Sequence, residues 1–250
     1  MNERRVEASP QVLARIGGLL YLVIIAIGLF DEAYVRGKVV VAGDAAATAA
    51  NLRSLEPLWR FGIAAELFLL ICAIAMGWIF WLLLRPVSRD LAVLAIFFDV
   101  ISMAVEAAIT LYLVEAVLPL GKAEYLKALA PEQLNALSRL AISAHGYGFG
   151  VALIFFACFC LVAGHLIVKS GYFPKTIGVL LQIAGVCYLV NSFALLLSPD
   201  LAGRLFPVIL IPSFIGESSL CLWLIVKGVN VEKWNRRQAE GRLEGAVAAV

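Results

Sequence analysis

Six stretches of this sequence are too long and too apolar for a soluble core, and each has the length a bilayer demands of a helix. They fall at about residues 13–34, 58–84, 91–118, 140–168, 175–198 and 206–228, against the roughly 20 apolar residues that cross about 30 Å of hydrocarbon. Lipid offers no water to the peptide groups, so a spanning segment must satisfy its own backbone as a helix or close into a barrel. No strand-length alternating pattern supports a barrel. The fold class is therefore all-α, a six-helix transmembrane bundle with short surface helices in the outer loops. Pro57, Pro86, Pro119, Pro131, Pro174, Pro199 and Pro207 sit at or just outside the ends of the spans, where helix breakers belong. Pro212 lies inside the last span and predicts a kink near the start of the sixth helix.

Composition removes the soluble alternatives. Hydrophobic residues make up 62% of the chain and charged residues 15%, whereas soluble domains are about half apolar and about a quarter charged. A net charge of +2 leaves no basic face for nucleic acid; the bilayer is the expected partner. Cys72, Cys158, Cys160, Cys187 and Cys221 all lie in apolar stretches and read as small buried hydrophobes, not as a disulfide framework.

Basic residues orient the spans. The tight turns Arg85-Pro86-Val87-Ser88-Arg89 and Lys169-Ser170-Gly171-Tyr172-Phe173-Pro174-Lys175 are short and cationic, and Arg4, Arg5 and Arg15 precede the first span. Both termini are thus expected in the cytoplasm and the protein in the inner (plasma) membrane. Phe30-Asp31-Glu32 follows the first apolar run where a small-residue cleavage site would stand, so that run is expected to stay as a span.

Three segments follow. Residues 1–11 form a cytoplasmic N-terminal segment, 12–229 the transmembrane domain, and 230–250 a charged, frayed cytoplasmic tail. In the first outer loop Asp44 is placed to cap an Ala-rich helix. Pro131-Glu132 suits the first turn of another over 131–139.

Ionisable residues inside the spans are the strongest pointer to function, because each costs several kcal/mol in hydrocarbon unless it finds a partner or water. Asp99, Ser102, Glu106 and Thr110 fall within about 80° of one another on the third span, and Glu106 lies about 22 Å from its inner end, near the midplane. Glu66, His145, Asn191 and Glu217 occupy similar depths on the second, fourth, fifth and sixth spans. Glu66, Glu106, His145, Asn191 and Glu217 are therefore expected to line one outward-facing cavity, with Arg60 or Arg139 at its rim as counter-charge. Such a cluster cannot be fully ionised in a low dielectric without cations. Asp31 and Glu32 read as interfacial. Gly146 and Gly150 form a small-xxx-small face for close helix packing.

The cavity residues could bind a small molecule, a proton or a cation, and binding or translocation is the leading reading. The competing reading is that the acids only tie helices together by hydrogen bonds, in a structural or partner subunit. An enzyme acting on lipid is the other alternative. It lacks a visible nucleophile elbow, and no HExxH or His-x-x-x-His pair marks a zinc site. No Walker loop or dinucleotide fingerprint appears either, so no metal and no cofactor is expected. Six helices without a detectable repeat make a thin transport scaffold, which a homodimer would remedy.

Five motifs in order carry a resemblance. Gly43-Asp44-Ala45-Ala46-Ala47-Thr48-Ala49-Ala50-Asn51, Leu84-Arg85-Pro86-Val87-Ser88-Arg89, Ala144-His145-Gly146-Tyr147-Gly148, Ser170-Gly171-Tyr172-Phe173-Pro174-Lys175 and Gly216-Glu217-Ser218-Ser219-Leu220-Cys221-Leu222-Trp223 resemble a group of bacterial multi-pass membrane proteins, domain of unknown function 4386. The resemblance covers about residues 12–229. It implies a bacterial membrane protein of six helices and brings no known activity. Ser143 stands where the family leads one to expect an acid, and Phe159 where it leads one to expect a histidine. Both departures weaken a metal or proton role for the fourth span.

Overall fold

The computed structural model describes residues 9–247, and for 242–247 the backbone alone. Arg4, Arg5 and most of the expected N-terminal segment lie outside that range. Among the described residues, six helices are long and apolar enough to cross a membrane. They are α1 (Pro10–Val39), α3 (Glu56–Leu84), α4 (Arg89–Glu115), α5 (Pro131–Ser170), α6 (Lys175–Leu197) and α8 (Ile211–Val226). Among the described residues there are three further α-helices: α2 (Ala45–Ser54) and α7 (Pro199–Leu205) between spans, and α9 (Val231–Val247) after the last.

Each spanning helix packs against its neighbour in the sequence, and α8 returns to α1, so the six close into a ring. Close approach is set by glycine. A Cβ at Gly164 of α5 would stand 2.6 Å from the carbonyl oxygen of Gly178 on α6, a separation no side chain allows. Gly216 of α8 lies against the Leu180 carbonyl of α6 in the same way. Gly146 and Gly150 do not make this contact. Gly146 has nothing within 4 Å of its Cβ position, and Gly150 faces the Leu195 side chain. The small-xxx-small face expected from sequence therefore borders the interior of the ring.

The two ends of the bundle are closed differently. At one end the Gln11 side chain clamps α1 to the segment after α8, donating to the Lys227 carbonyl at 2.9 Å and accepting from the Val229 amide at 3.0 Å. Here the Leu83 carbonyl accepts from both the Tyr172 hydroxyl (2.6 Å) and the Trp234 indole (3.1 Å). Trp234 is buried and anchors α9, so helix extends to Val247 where the charge pattern alone suggests fraying. At the opposite end Asp44 caps α2 through the Ala47 amide at 2.8 Å. Trp59 donates to the Leu113 carbonyl at 2.9 Å, and Ser138 to the Ala116 carbonyl at 2.6 Å.

Two local expectations change. Helix α5 begins at Pro131 and runs unbroken for 40 residues, about 60 Å, so the expected surface helix and the fourth span are one rod projecting beyond the bilayer. Pro212 lies in the first turn of α8, behind a short 3-10 segment Val208–Leu210. There its missing N–H is no loss, and no mid-helix kink is required.

Candidate functional site

The α1 helix widens into a π-helical segment over Phe30–Arg36 before ending at Val39. Such segments are rare and occur frequently at functional sites. Ahead of it, Ala14, Gly17, Gly18 and Tyr21 face the bundle. Asp31 and Val35 continue that inward face through the widened turns. Asp31 is consequently buried, and neither of its carboxylate oxygens has a hydrogen-bond partner. Its Oδ1 lies where a Cβ at Gly62 of α3 would be, 2.8 Å away. Asp31 is thus part of the interior instead of interfacial, while Glu32 remains exposed.

Arg36 comes from the same segment and reaches Glu66. Its Nη2 lies 3.0 Å from Glu66 Oε2. Glu66 Oε1 is 3.1 Å from His145 Nε2 and 3.2 Å from the Thr110 hydroxyl, which also points at the Glu106 carbonyl at 2.9 Å. Arg36 Nη1 approaches His145 Nδ1 at 3.4 Å. A guanidinium has only donors, so Nδ1 accepts and the ring proton sits on Nε2, aimed at Glu66. The result is a largely buried cluster of a guanidinium, a carboxylate, an imidazole and a hydroxyl that joins α1, α3, α4 and α5. The counter-charge to Glu66 is therefore Arg36, not the expected rim residues. Arg60 pairs with Glu56 at 2.8 Å on the exposed face of its own helix, and Arg139 donates to Ser143 at 3.1 Å.

Two cavities adjoin inside the ring. The first, of about 510 Å³, is lined from all six spanning helices, for instance by Tyr21, Ala73, Ser102, Leu153, Tyr188 and Glu217. Asp99 and Glu106 also border it. The second, of about 590 Å³, is bordered by Asp31, Arg36, Glu66, Glu106 and Asn191, and by Gly146 and Gly150. Glu106 lines both. Of the residues expected to share one cavity, Glu106 and Glu217 border the first, and Glu66, Glu106 and Asn191 the second. His145, 1% exposed, stands behind Glu66 in neither wall.

The wall of the first cavity also has chemistry of its own. The Tyr188 hydroxyl donates to the Glu217 carboxylate, and the Phe156 ring meets Tyr188 edge-on at 5.7 Å between centroids. Asp99 is 2% exposed, and its Oδ2 has no partner. That oxygen occupies the space a side chain at Gly77 would take. Ser102, one turn on, satisfies itself on the Ala152 carbonyl at 2.8 Å. Among the described residues no three His, Cys, Asp or Glu side chains converge at metal-ligand spacing.

Sequence reasoning missed Arg36, Asp31, Tyr21 and Tyr188. The signal for Asp31 was present, because Tyr21, Gly28 and Val35 recur every seven residues on one face and Asp31 falls three after Gly28. Its depth near the end of the span points to the interface, whereas its face points inward.

An uncharacterized protein of Archaeoglobus fulgidus is 27% identical over 177 residues, covering 71% of this chain and 89% of that protein. No solved structure matches the chain. The profile described as Domain of unknown function (DUF4386) matches residues 16–228, which include all six spanning segments almost end to end. The chain is an integral membrane protein and belongs to the DUF4386 family.

Proposed function

We propose that this protein binds, or carries across the membrane, a small molecule, proton or cation held in the acid-bordered cavity that its six spanning helices line. The observation that carries the reading is the construction of that cavity. All six spanning helices contribute to one space of about 510 Å³, in the range of pockets that enclose a small ligand. Carboxyl groups border it at separate points along its length. A bundle whose acids served only to join helices would bring them to partners and fill the space between with side chains.

The basic turns at 85–89 and 169–175 support an orientation with both chain ends in the cytoplasm of a bacterial cell and the Arg36 end outside. On that orientation the second cavity is the outer vestibule and Glu106 the residue between vestibule and interior.

The test compares the purified full chain in lipid nanodiscs with Leu153→Trp, which fills space at the wall of both cavities. A panel of small amphiphiles is screened by thermal unfolding. A ligand at about 100 times its Kd adds about 2.7 kcal/mol to stability, and the proposal expects such a gain in the wild type and not in the filled variant. Flux in proteoliposomes, with Glu106→Gln and Glu217→Gln beside the wild type, separates translocation from binding alone. Equal responses of the wild type and Leu153→Trp to every compound, with no flux, would refute it.

A further inference from the structure

The chemistry of the first cavity narrows its occupant. Its wall contains three carboxyl groups, Asp99, Glu106 and Glu217, and no Lys, Arg or His side chain. Arg36 borders the second cavity and is already engaged by Glu66. The phenol at Glu217 is neutral, so it supplies a hydrogen bond and no charge. Asp99 Oδ2 is buried, lacks any partner, and belongs to a residue that borders the cavity. A buried polar atom left in this condition is destabilising, and the fold has cleared space for it by placing glycine at position 77.

The remainder of the wall is apolar, and five aromatic rings border it: Tyr21, Phe149, Phe156, Tyr188 and Phe214. Aromatic faces attract cations and also accept apolar carbon. Phe156 and Tyr188 meet edge-on directly beside Glu217, so a ring face and a carboxylate are offered together. A proton alone needs no such space, and the carboxyls are too dispersed to gather on a metal ion.

We infer that the cavity takes an organic cation with an apolar body, an ammonium or phosphonium centre carried on aromatic or aliphatic carbon. Asp99, Glu106 and Glu217 receive the charge and the aromatic wall receives the body. The inference rests on the reading of this cavity as a ligand site and names the class of ligand. Protons compete for the same carboxyl groups, so affinity falls as pH is lowered.

The experiment measures equilibrium binding of radiolabelled tetraphenylphosphonium to the full chain in nanodiscs of uncharged lipid, with empty nanodiscs subtracted. Neutral triphenylphosphine and anionic tetraphenylborate serve as competitors of similar shape. The expected result is saturable binding that weakens at acid pH, resists tetraphenylborate, and is lost in Leu153→Trp. Glu106→Gln and Glu217→Gln should each weaken it by about tenfold or more. Asp99→Asn should do the same, and Ser102→Ala, which removes no charge, should not. If Asp99→Asn does not fold, the two glutamine variants carry the test, since the Glu106 and Glu217 residues keep partial exposure where Asp99 has almost none. Triphenylphosphine binding as well as the cation, with the carboxamide variants unchanged, would overturn the cation inference and leave the cavity reading standing. Absence of saturable binding by every probe, with the wild type indifferent to Leu153→Trp, would overturn both.

Discussion

Replacing Arg36 by Met isolates the electrostatics of the cluster at Glu66. The Glu66 side chain is 6% exposed and that of Arg36 23%, so removal of the cation leaves a carboxylate that water hardly reaches. Breaking a buried pair in this way costs about 3–5 kcal/mol. The partial exposure of Arg36 places the expectation near the lower figure, about 3 kcal/mol. Glu66→Gln is milder. The amide oxygen still accepts from His145 and Thr110, and Arg36 retains Glu32 at 3.6 Å and access to solvent, so about 1–2 kcal/mol is expected. Thr110→Val removes one neutral donor and costs about 1 kcal/mol. In the double variant the uncompensated charge is gone, and its loss should fall short of the sum of the singles by about 2 kcal/mol.

The assay is reversible unfolding of the purified protein in mixed micelles, followed by near-ultraviolet circular dichroism, as a double-mutant cycle. The coupling should persist when salt is raised, because a buried pair is screened little. The exposed Arg60–Glu56 pair, at 58% and 42% side-chain exposure, is the internal control and should show almost no coupling at high salt. Additivity of Arg36→Met and Glu66→Gln would refute the reasoning, since it would mean the two charges do not meet in the folded protein.

Other outcomes follow from particular contacts. Gly164→Ala forces a methyl against the Gly178 carbonyl and should cost about 1–3 kcal/mol in the same unfolding assay. Trp234→Ala removes a buried ring and its bond to Leu83, so α9 should detach and limited proteolysis should cut after Arg236 or Arg237 while the spans stay folded. Burial pushes the Tyr172 phenol above its ordinary 10.0. Its support of Leu83 is therefore complete below pH 10 and is lost as pH rises through the higher folded value, a loosening of α9 visible in tryptophan fluorescence and changed by Tyr172→Phe. For orientation, Ala46→Cys should react with an impermeant maleimide on intact cells and Asp90→Cys should not; the reverse would invert the topology.

Much of the fold was legible because hydropathy and breakers act locally. The six spans, the Asp44 cap and the Pro131 start all depend on residues within a turn or two. The continuity of α5 departs from the expected break at 139/140, although no proline interrupts 132–170 and glycines at 146, 148 and 150 are tolerated inside a lipid helix. What the sequence hides is phase. A π-helical segment shifts every later side chain around the axis, and nothing in Phe30-Asp31-Glu32-Ala33-Tyr34-Val35-Arg36 announces it. Arg36 falls two residues beyond the apolar run that ends near residue 34, so hydropathy does not place it among the acids as it does Arg60 and Arg139. Trp234 was the overlooked sign in the tail, since an indole in an otherwise charged segment needs somewhere to bury.

The intramembrane acids divide by whether packing alone explains them. Glu66 has a cation, an imidazole and a hydroxyl, and a cluster that ties four helices together is reason enough for a carboxylate there. Glu217 meets the phenols of Tyr188 and Tyr21, which supply hydrogen bonds and balance no charge. Both carboxylate oxygens of Asp31 and Oδ2 of Asp99 are buried without a hydrogen-bond partner, and each residue is pressed against a glycine of α3, Gly62 and Gly77. If these two acids served stability, a neighbour would donate to them, because an unsatisfied buried polar atom costs about 1–3 kcal/mol. Instead the same helix keeps its surface clear at two depths to admit them. Natural sequences depart from local satisfaction chiefly where function requires it. The unpartnered aspartates, more than the well-paired Glu66, are accordingly the residues whose presence a functional account of the cavity has to explain.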